Sequence, residues 1–341
     1  MQLFIEQDFL DKYYNEFDKY KLSAEKKILD KFFSEYTELE IYLDCKTNEE
    51  IEDQFKQNSI LKKILTNNPA VKAIGRFENY FADNFKHKQA LVFLRHKSEW
   101  SEALFNKGVL CFFYDTYEER LKDIINELHF RIDLSERINP QFKGWAEFKK
   151  FKVLPLNSMV VSDKFVLSDK TGQEIDKNLI PLLKNILEEK QETNIEITIL
   201  TDKILENANR DDKNIKEREK VKKRHKYLNS RFAQYKIKFS IIKILTVGKL
   251  SNFELHDRIV YTNYSILEIG KGLNLSRNIS NDNLKSNSEI RCETIFDKYT
   301  YNRYKNHLKM LSNYFASLKS LNHAEKPFKY YPDKLNNTLF N

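Results

Sequence analysis

Along the whole chain, short apolar runs alternate with longer stretches in which apolar residues recur every three or four positions. That alternation is the pattern of a parallel or mixed sheet covered by helices, so the expected fold class is α/β. In the first half it predicts strands at residues 3–5, 40–43, 90–94 and 109–114, and helices at 9–17, 24–33, 49–55, 100–105 and 117–128. Residues 135–158 break the periodicity with Pro140, Gly144 and Pro155, which places a domain boundary there. The division expected is therefore an α/β domain over 1–150 and a second domain over 151–341. A hydrophobic fraction of 41% with 13% aromatic residues suffices for a core in each and excludes wholesale disorder.

The second half runs strand 159–167, turn 169–172, helix 176–189, strand 195–200, and a long charged helix over about 214–234. Strands follow at 237–245, 255–262, 264–269 and 290–296, with a polar loop at 276–289, and a helix over 301–318 closes the domain. The last twenty residues are expected to form a poorly ordered tail, with Tyr330 and Tyr331 as the residues able to dock back.

Charge is uneven between the halves. Residues 1–150 hold 24 Lys+Arg against 27 Asp+Glu, and residues 151–341 hold 34 against 23, giving about −3 and +11. Part of that basicity reflects an A/T-rich codon bias, visible in abundant Lys and Asn and in only 7 Gly and 6 Pro. The remainder points to a polyanionic partner for the second half. Cys45, Cys111 and Cys292 are too widely spaced for a disulfide framework or a cysteine zinc site. No secretory signal and no apolar run long enough to span a membrane is present, so a cytoplasmic protein is expected.

The segment LHDRIVYTNYSILEIGKGLN, residues 255–274, carries the chemistry. It reads His-x-Arg-x4-Asn, with His256, Arg258 and Asn263, followed by Gly270, Lys271, Gly272 and Asn274. On a strand, His256 and Arg258 share a face, as two groups acting on one phosphate must. An imidazole there attacks phosphorus or relays a proton, and a guanidinium clamps phosphate oxygens.

This segment resembles the phospholipase D superfamily motif, His-x-Lys-x4-Asp followed by a Gly-Ser-x-Asn-like element. It is most similar to the phospholipase D-like domain at the C-terminus of certain MIT-domain proteins, in His256-Asp257-Arg258 and in Gly270-Lys271-Gly272-Leu273-Asn274. The resemblance spans about residues 158–320 and implies a phospholipase D-like mixed-sheet domain. It further implies phosphate binding by Arg258, Asn263, Lys271 and Asn274, with His256 in the place of the family's nucleophile. Asn263 stands where the family has an Asp that orients the His, and the MIT-associated relatives are regarded as non-catalytic, so the resemblance favours binding over turnover. The family uses two half-sites. His129-Phe130-Arg131 with Glu136, and His307-Leu308-Lys309, fit a second one poorly, which leaves a homodimer as the way to complete a pair.

Two further features bear on function. Residues 213–231 carry nine basic residues against Glu217 and Glu219, and Lys216, Lys220, Lys223, Arg224 and Lys226 form a candidate nucleic-acid-binding set; a solvated helix face is the alternative. In the first domain Glu6, Asp8, Asp44 and Asp115 sit at the ends of predicted strands, as in PIN-like nucleases, although helix caps favour the same residue types. The function expected is a phosphate-ligand-binding protein with a degenerate phospholipase D-like site, binding nucleic acid in a prokaryotic defence or conflict system, without a cofactor. The alternatives are a phosphodiesterase or nuclease, using His256 in a homodimer or the N-terminal acids with a metal, and an adaptor for anionic lipid or a protein partner.

Overall fold

The computed structural model describes residues 1–16, 22–83, 89–134, 142, 144–168, 172–173, 175–201, 210–243, 258–270, 289–317, 329–330 and 337–340. Its contacts divide the chain into two units. The first comprises Met1–Asn126, Leu154–Leu156 and Thr294–Asn302, and the second Glu127–Val153, Asn157–Glu293 and Arg303–Asn341.

The first unit is built on a five-stranded, wholly parallel sheet of order β3-β2-β1-β4-β5. Its strands are β1 (Gln2–Ile5), β2 (Glu40–Leu43), β3 (Val71–Ala73), β4 (Ala90–Leu94) and β5 (Leu110–Phe113). Parallel strands are covered on both faces, which is why β4 reads as an unbroken apolar run and β1 as one after Gln2, and both are buried throughout. Side chains alternate across the sheet. Phe4 stacks on Tyr42 and packs with Phe77 and Phe81 on one face, while Phe93 meets Phe9, Phe33 and Phe112 on the other. Residues 294–302 join this core through Phe296 against Phe112 and through the Tyr36 hydroxyl, which donates to the Ile295 carbonyl at 3.0 Å. Helices α1 (Gln7–Asn15), α2 (Ala24–Glu35), α3 (Asn48–Gln57), α4 (Ser59–Asn67), α5 (Phe77–Asp83), α6 (Glu99–Ala103) and α7 (Tyr117–Leu128) complete the alternation. Ser23, Thr47 and Asn58 accept backbone N–H groups at the starts of α2, α3 and α4.

The second unit holds an eight-stranded mixed sheet of order β13-β9-β8-β7-β10-β11-β12-β6. Its strands are β6 (Phe130–Asp133), β7 (Ser158–Ser162), β8 (Ile195–Thr201), β9 (Ile237–Lys243), β10 (Ile259–Thr262), β11 (Ser265–Ile269), β12 (Glu289–Thr294) and β13 (Lys329–Tyr330). β7, β8 and β9 are parallel, whereas β10 runs antiparallel to both β7 and β11. The helices are α8 (Ile180–Ile186), α9 (Arg210–Arg231) and α10 (Lys298–Ser317).

Residues 145–153, inside the expected boundary, are instead folded. Trp145–Val153 is a 3₁₀ helix, a form with three residues per turn, so Trp145, Phe148 and Phe151 fall on one side and pack ring to ring, tilted or edge-on, in sequence after Phe142. The Trp145 indole donates to the Lys177 carbonyl at 2.8 Å. Lys177 lies in a π-helical turn, Ile175–Leu179, that leads into Pro181, which has no N–H to give, and the indole caps its carbonyl from outside.

The expected tail is partly docked as well. Lys329 and Tyr330 add to the edge of β9 as β13. Asn337, only 1% exposed, donates its amide to Met159 O, Thr198 Oγ1 and Glu196 O at 3.0, 3.0 and 3.3 Å.

Candidate phosphate-binding edge

Strand direction gathers several termini in the second unit. Because β7, β8 and β9 are parallel and β10 is reversed between β7 and β11, the carboxyl ends of β7, β8, β9 and β11 lie with the amino end of β10 along one edge of the sheet. β8 flanks β7 on one side and β10 on the other, so β7 is the switch point at which open α/β sheets place ligands. Arg258 immediately precedes β10 and Gly270 immediately follows β11, and Arg258 Nη1 donates to the Gly270 carbonyl at 3.5 Å. The edge is held by Ile269 N–H to Arg258 O and by Gly270 N–H to Glu289 O, both 2.9 Å. His256, Lys271 and Asn274 lie outside the described residues.

Asn263 departs from expectation. It occupies the turn between β10 and β11, at the opposite end of the hairpin, five residues from Arg258 or roughly 15 Å along an extended strand. It is fully buried, and its Oδ1 accepts from the backbone N–H groups of Asn157 and Ser158 at 3.0 and 3.1 Å while Nδ2 donates to Asn157 Oδ1 at 2.7 Å. That is a structural clamp in place of the expected phosphate contact. His307 also has a local role: it lies in α10, where Nδ1 is 2.9 Å from the Tyr261 hydroxyl.

The basic helix α9 has three faces rather than one ridge. Val221, Leu228 and Phe232 pack inward, with Phe232 against Phe239. His225 belongs to this face, 7% exposed and 2.9 Å from the Phe239 carbonyl, and burial lowers its pKa. A second row holds the segment after β7. Lys220 Nζ reaches Ser168 O at 3.4 Å, Arg224 lies buried against Gly172, and Tyr227 and Arg231 meet Asp176. Gly172 has φ +91°, strained for any larger residue, and a Cβ there would also have to displace the Arg224 guanidinium. Arg224 is therefore buried in the fold, a correction to its expected place on the nucleic-acid face, while Lys220 is half-buried. Lys222, Lys223 and Lys226 are exposed, and none is in an ion pair among the described residues. The Lys216 side chain lies outside the described residues.

In the first unit β1 is the switch strand, between β2 and β4. Glu6 follows β1 and accepts the Arg95 N–H, while Arg95 Nη1 meets Asp115 at 2.9 Å. Asp44, after β2, accepts Gln7 N–H at the start of α1 at 2.8 Å. These acids thus do the capping and loop-tying that their positions also allow. Among the described residues no three His, Cys, Asp or Glu lie close enough to hold a metal ion. Burial nevertheless raises the Glu6 carboxyl and pushes Asp44 up to about 6 from the ordinary 3.8. Between those values the folded state holds a proton that the unfolded state releases, so this contribution to stability is lost as pH rises through about 6. Asp44→Asn keeps the Oδ1 acceptor and removes the charge. Urea unfolding should find the variant more stable by about 1–2 kcal/mol above pH ~7, allowing for partial exposure, with the difference vanishing below pH ~4.

No family model matches the chain, and comparison with curated proteins and with solved structures finds no match.

Proposed function

We propose that the second unit binds phosphate-rich polymers, nucleic acid first among them, with α9 as the tracking surface and the Arg258 edge as a single-phosphate subsite. The observation that carries this reading is the outward face of α9, where Lys222, Lys223 and Lys226 are exposed with no carboxylate paired to them among the described residues. Their inward neighbours fix the helix on the sheet, so the three ammonium groups are presented from a rigid support. Lys222 and Lys226 are one helical turn apart, a rise of about 6 Å, which lets one turn of helix address successive phosphates. The phospholipase D-like pattern around Arg258 supports phosphate as the group recognised, since a guanidinium matches two phosphate oxygens. The biological setting that accompanies this reading is prokaryotic defence, where degenerate nuclease-like modules recur.

Fluorescence anisotropy with labelled single-stranded and duplex oligonucleotides, read across a salt series, tests the proposal. Binding should fall steeply with salt. Changing Lys222, Lys223 and Lys226 together to alanine should reduce the log–log slope by about 2–3, because each phosphate contact contributes about 0.7–0.9. Absence of affinity for either oligonucleotide at low salt overturns it.

A further inference from the structure

The shoulder of α9 beside residue 176 carries one aromatic ring among its cations. Lys223, Tyr227 and Arg231 follow one another at intervals of four, so their side chains form a row on one side of the helix. Lys223 and Arg231 are exposed, and Tyr227 is half-buried. The Tyr227 hydroxyl donates to Asp176, a bond that raises the phenol's pKa and so keeps its proton in place. Arg231 reaches the same carboxylate at 3.5 Å, and its guanidinium stands over the tyrosine ring, 6.0 Å from the centroid. The ring is therefore tethered by its polar tip and bordered by a cation. It takes no part in the helix's inward packing, which Leu228 and Phe232 provide, and among the described residues no other aromatic side chain packs against it.

We infer that Tyr227 is a base-stacking residue and that the second unit takes single-stranded nucleic acid: an unpaired base lies on the tyrosine ring, while Lys223 and Arg231 meet the phosphates on either side of it. The inference rests on the nucleic-acid reading of α9 and names the form of polymer that this surface selects. The two cations are about 12 Å apart along the helix, with the ring midway between them. Phosphate contacts alone accept single strands and duplexes alike. An aromatic ring adds a choice, because it gains only from a base whose face is open, and in a duplex each base is covered by its neighbours in the stack. Every base has such a face, so the preference concerns strand state and is tolerant of sequence. The tether to Asp176 holds the ring in place before the strand arrives, which limits the ordering cost of binding.

The test has two arms. Fluorescence anisotropy at low salt compares a short oligothymidine with an abasic strand of the same length, which keeps the phosphates and lacks the bases, and with a duplex of that length. The intact chain should bind the oligothymidine about tenfold more tightly than the abasic strand. Tyr227→Ala should erase that difference and leave the abasic strand and the duplex unaffected. Tyr227→Phe keeps the ring and loses the tether, and should stay within about threefold of the intact chain on oligothymidine. The second arm needs no variant: oligothymidine carrying 5-iodouracil is irradiated on the intact chain, and mass spectrometry should place the crosslink at Tyr227. Equal binding of oligothymidine and abasic strand, oligothymidine binding indifferent to Tyr227→Ala, a Tyr227→Phe loss as large as that of Tyr227→Ala, or a crosslink that avoids Tyr227 each overturn the stacking role while phosphate binding stands. No affinity for any of the three probes overturns the nucleic-acid reading itself.

Discussion

Replacing Asn263 with alanine should lower the melting temperature of the second unit by about 10 °C. The side chain closes two backbone donors, Asn157 N–H and Ser158 N–H, in a fully buried site, and donates to Asn157 Oδ1. Truncation strands both donors at about 1–3 kcal/mol each, a total of about 4 kcal/mol, and for a unit of this size 1 kcal/mol moves the melting temperature by about 2–4 °C. Differential scanning calorimetry measures it. Asn263→Asp keeps both acceptor bonds, and a flip of the Asn157 amide lets its Nδ2 donate to the second carboxylate oxygen, so its loss should be smaller. Equal losses for the two variants would show that the clamp does not work through its acceptor oxygen. Asn263 therefore anchors the β10–β11 hairpin to residues 157–158. Asn263 lies at the far end of β10 from Arg258.

Deleting residues 337–341 should destabilise the second unit by about 3–5 kcal/mol. Leu339 is 6% exposed, and burying a leucine contributes about 1.5–3 kcal/mol. The deletion also removes the Asn337 amide from Thr198 Oγ1 and from two carbonyls of the central strands, and takes Phe340 O from the Ser312 hydroxyl. Hydrogen exchange should accelerate at β7 and β8, and Asn337→Ala alone should give about half of the loss. Exchange rates that match those of the intact chain would mean these residues do not support the sheet.

The elements most legible in the sequence are those with a single dominant demand. β1, β4 and β7 are buried throughout, so β4 is wholly apolar and the other two are apolar apart from Gln2, Ser158 and Ser162 at their ends. The convergence of residues 258 and 270 was legible too, because a short turn between two apolar runs forces a hairpin whose outer ends meet. The 3₁₀ helix at 145–153 was not, since a three-residue aromatic period flanked by proline and glycine fits neither the helical nor the strand template. Lys220 and Arg224 share helical spacing with Lys223 and Lys226, yet only tertiary contacts decide which face meets Asp176, Ser168 and Gly172 and which meets solvent. Asn337 was hidden for another reason: a single amide that satisfies three acceptors leaves no periodic trace.

The aromatic ladder beside α8 gives the chain an internal reporter. Of its two tryptophans, Trp100 packs near Phe81 in the first unit and Trp145 lies in the 3₁₀ helix of the second. Each unit thus carries its own indole, so Trp100→Phe and Trp145→Phe convert the emission spectrum into a one-unit readout. Losses assigned above to the second unit become separable by colour from those of the first.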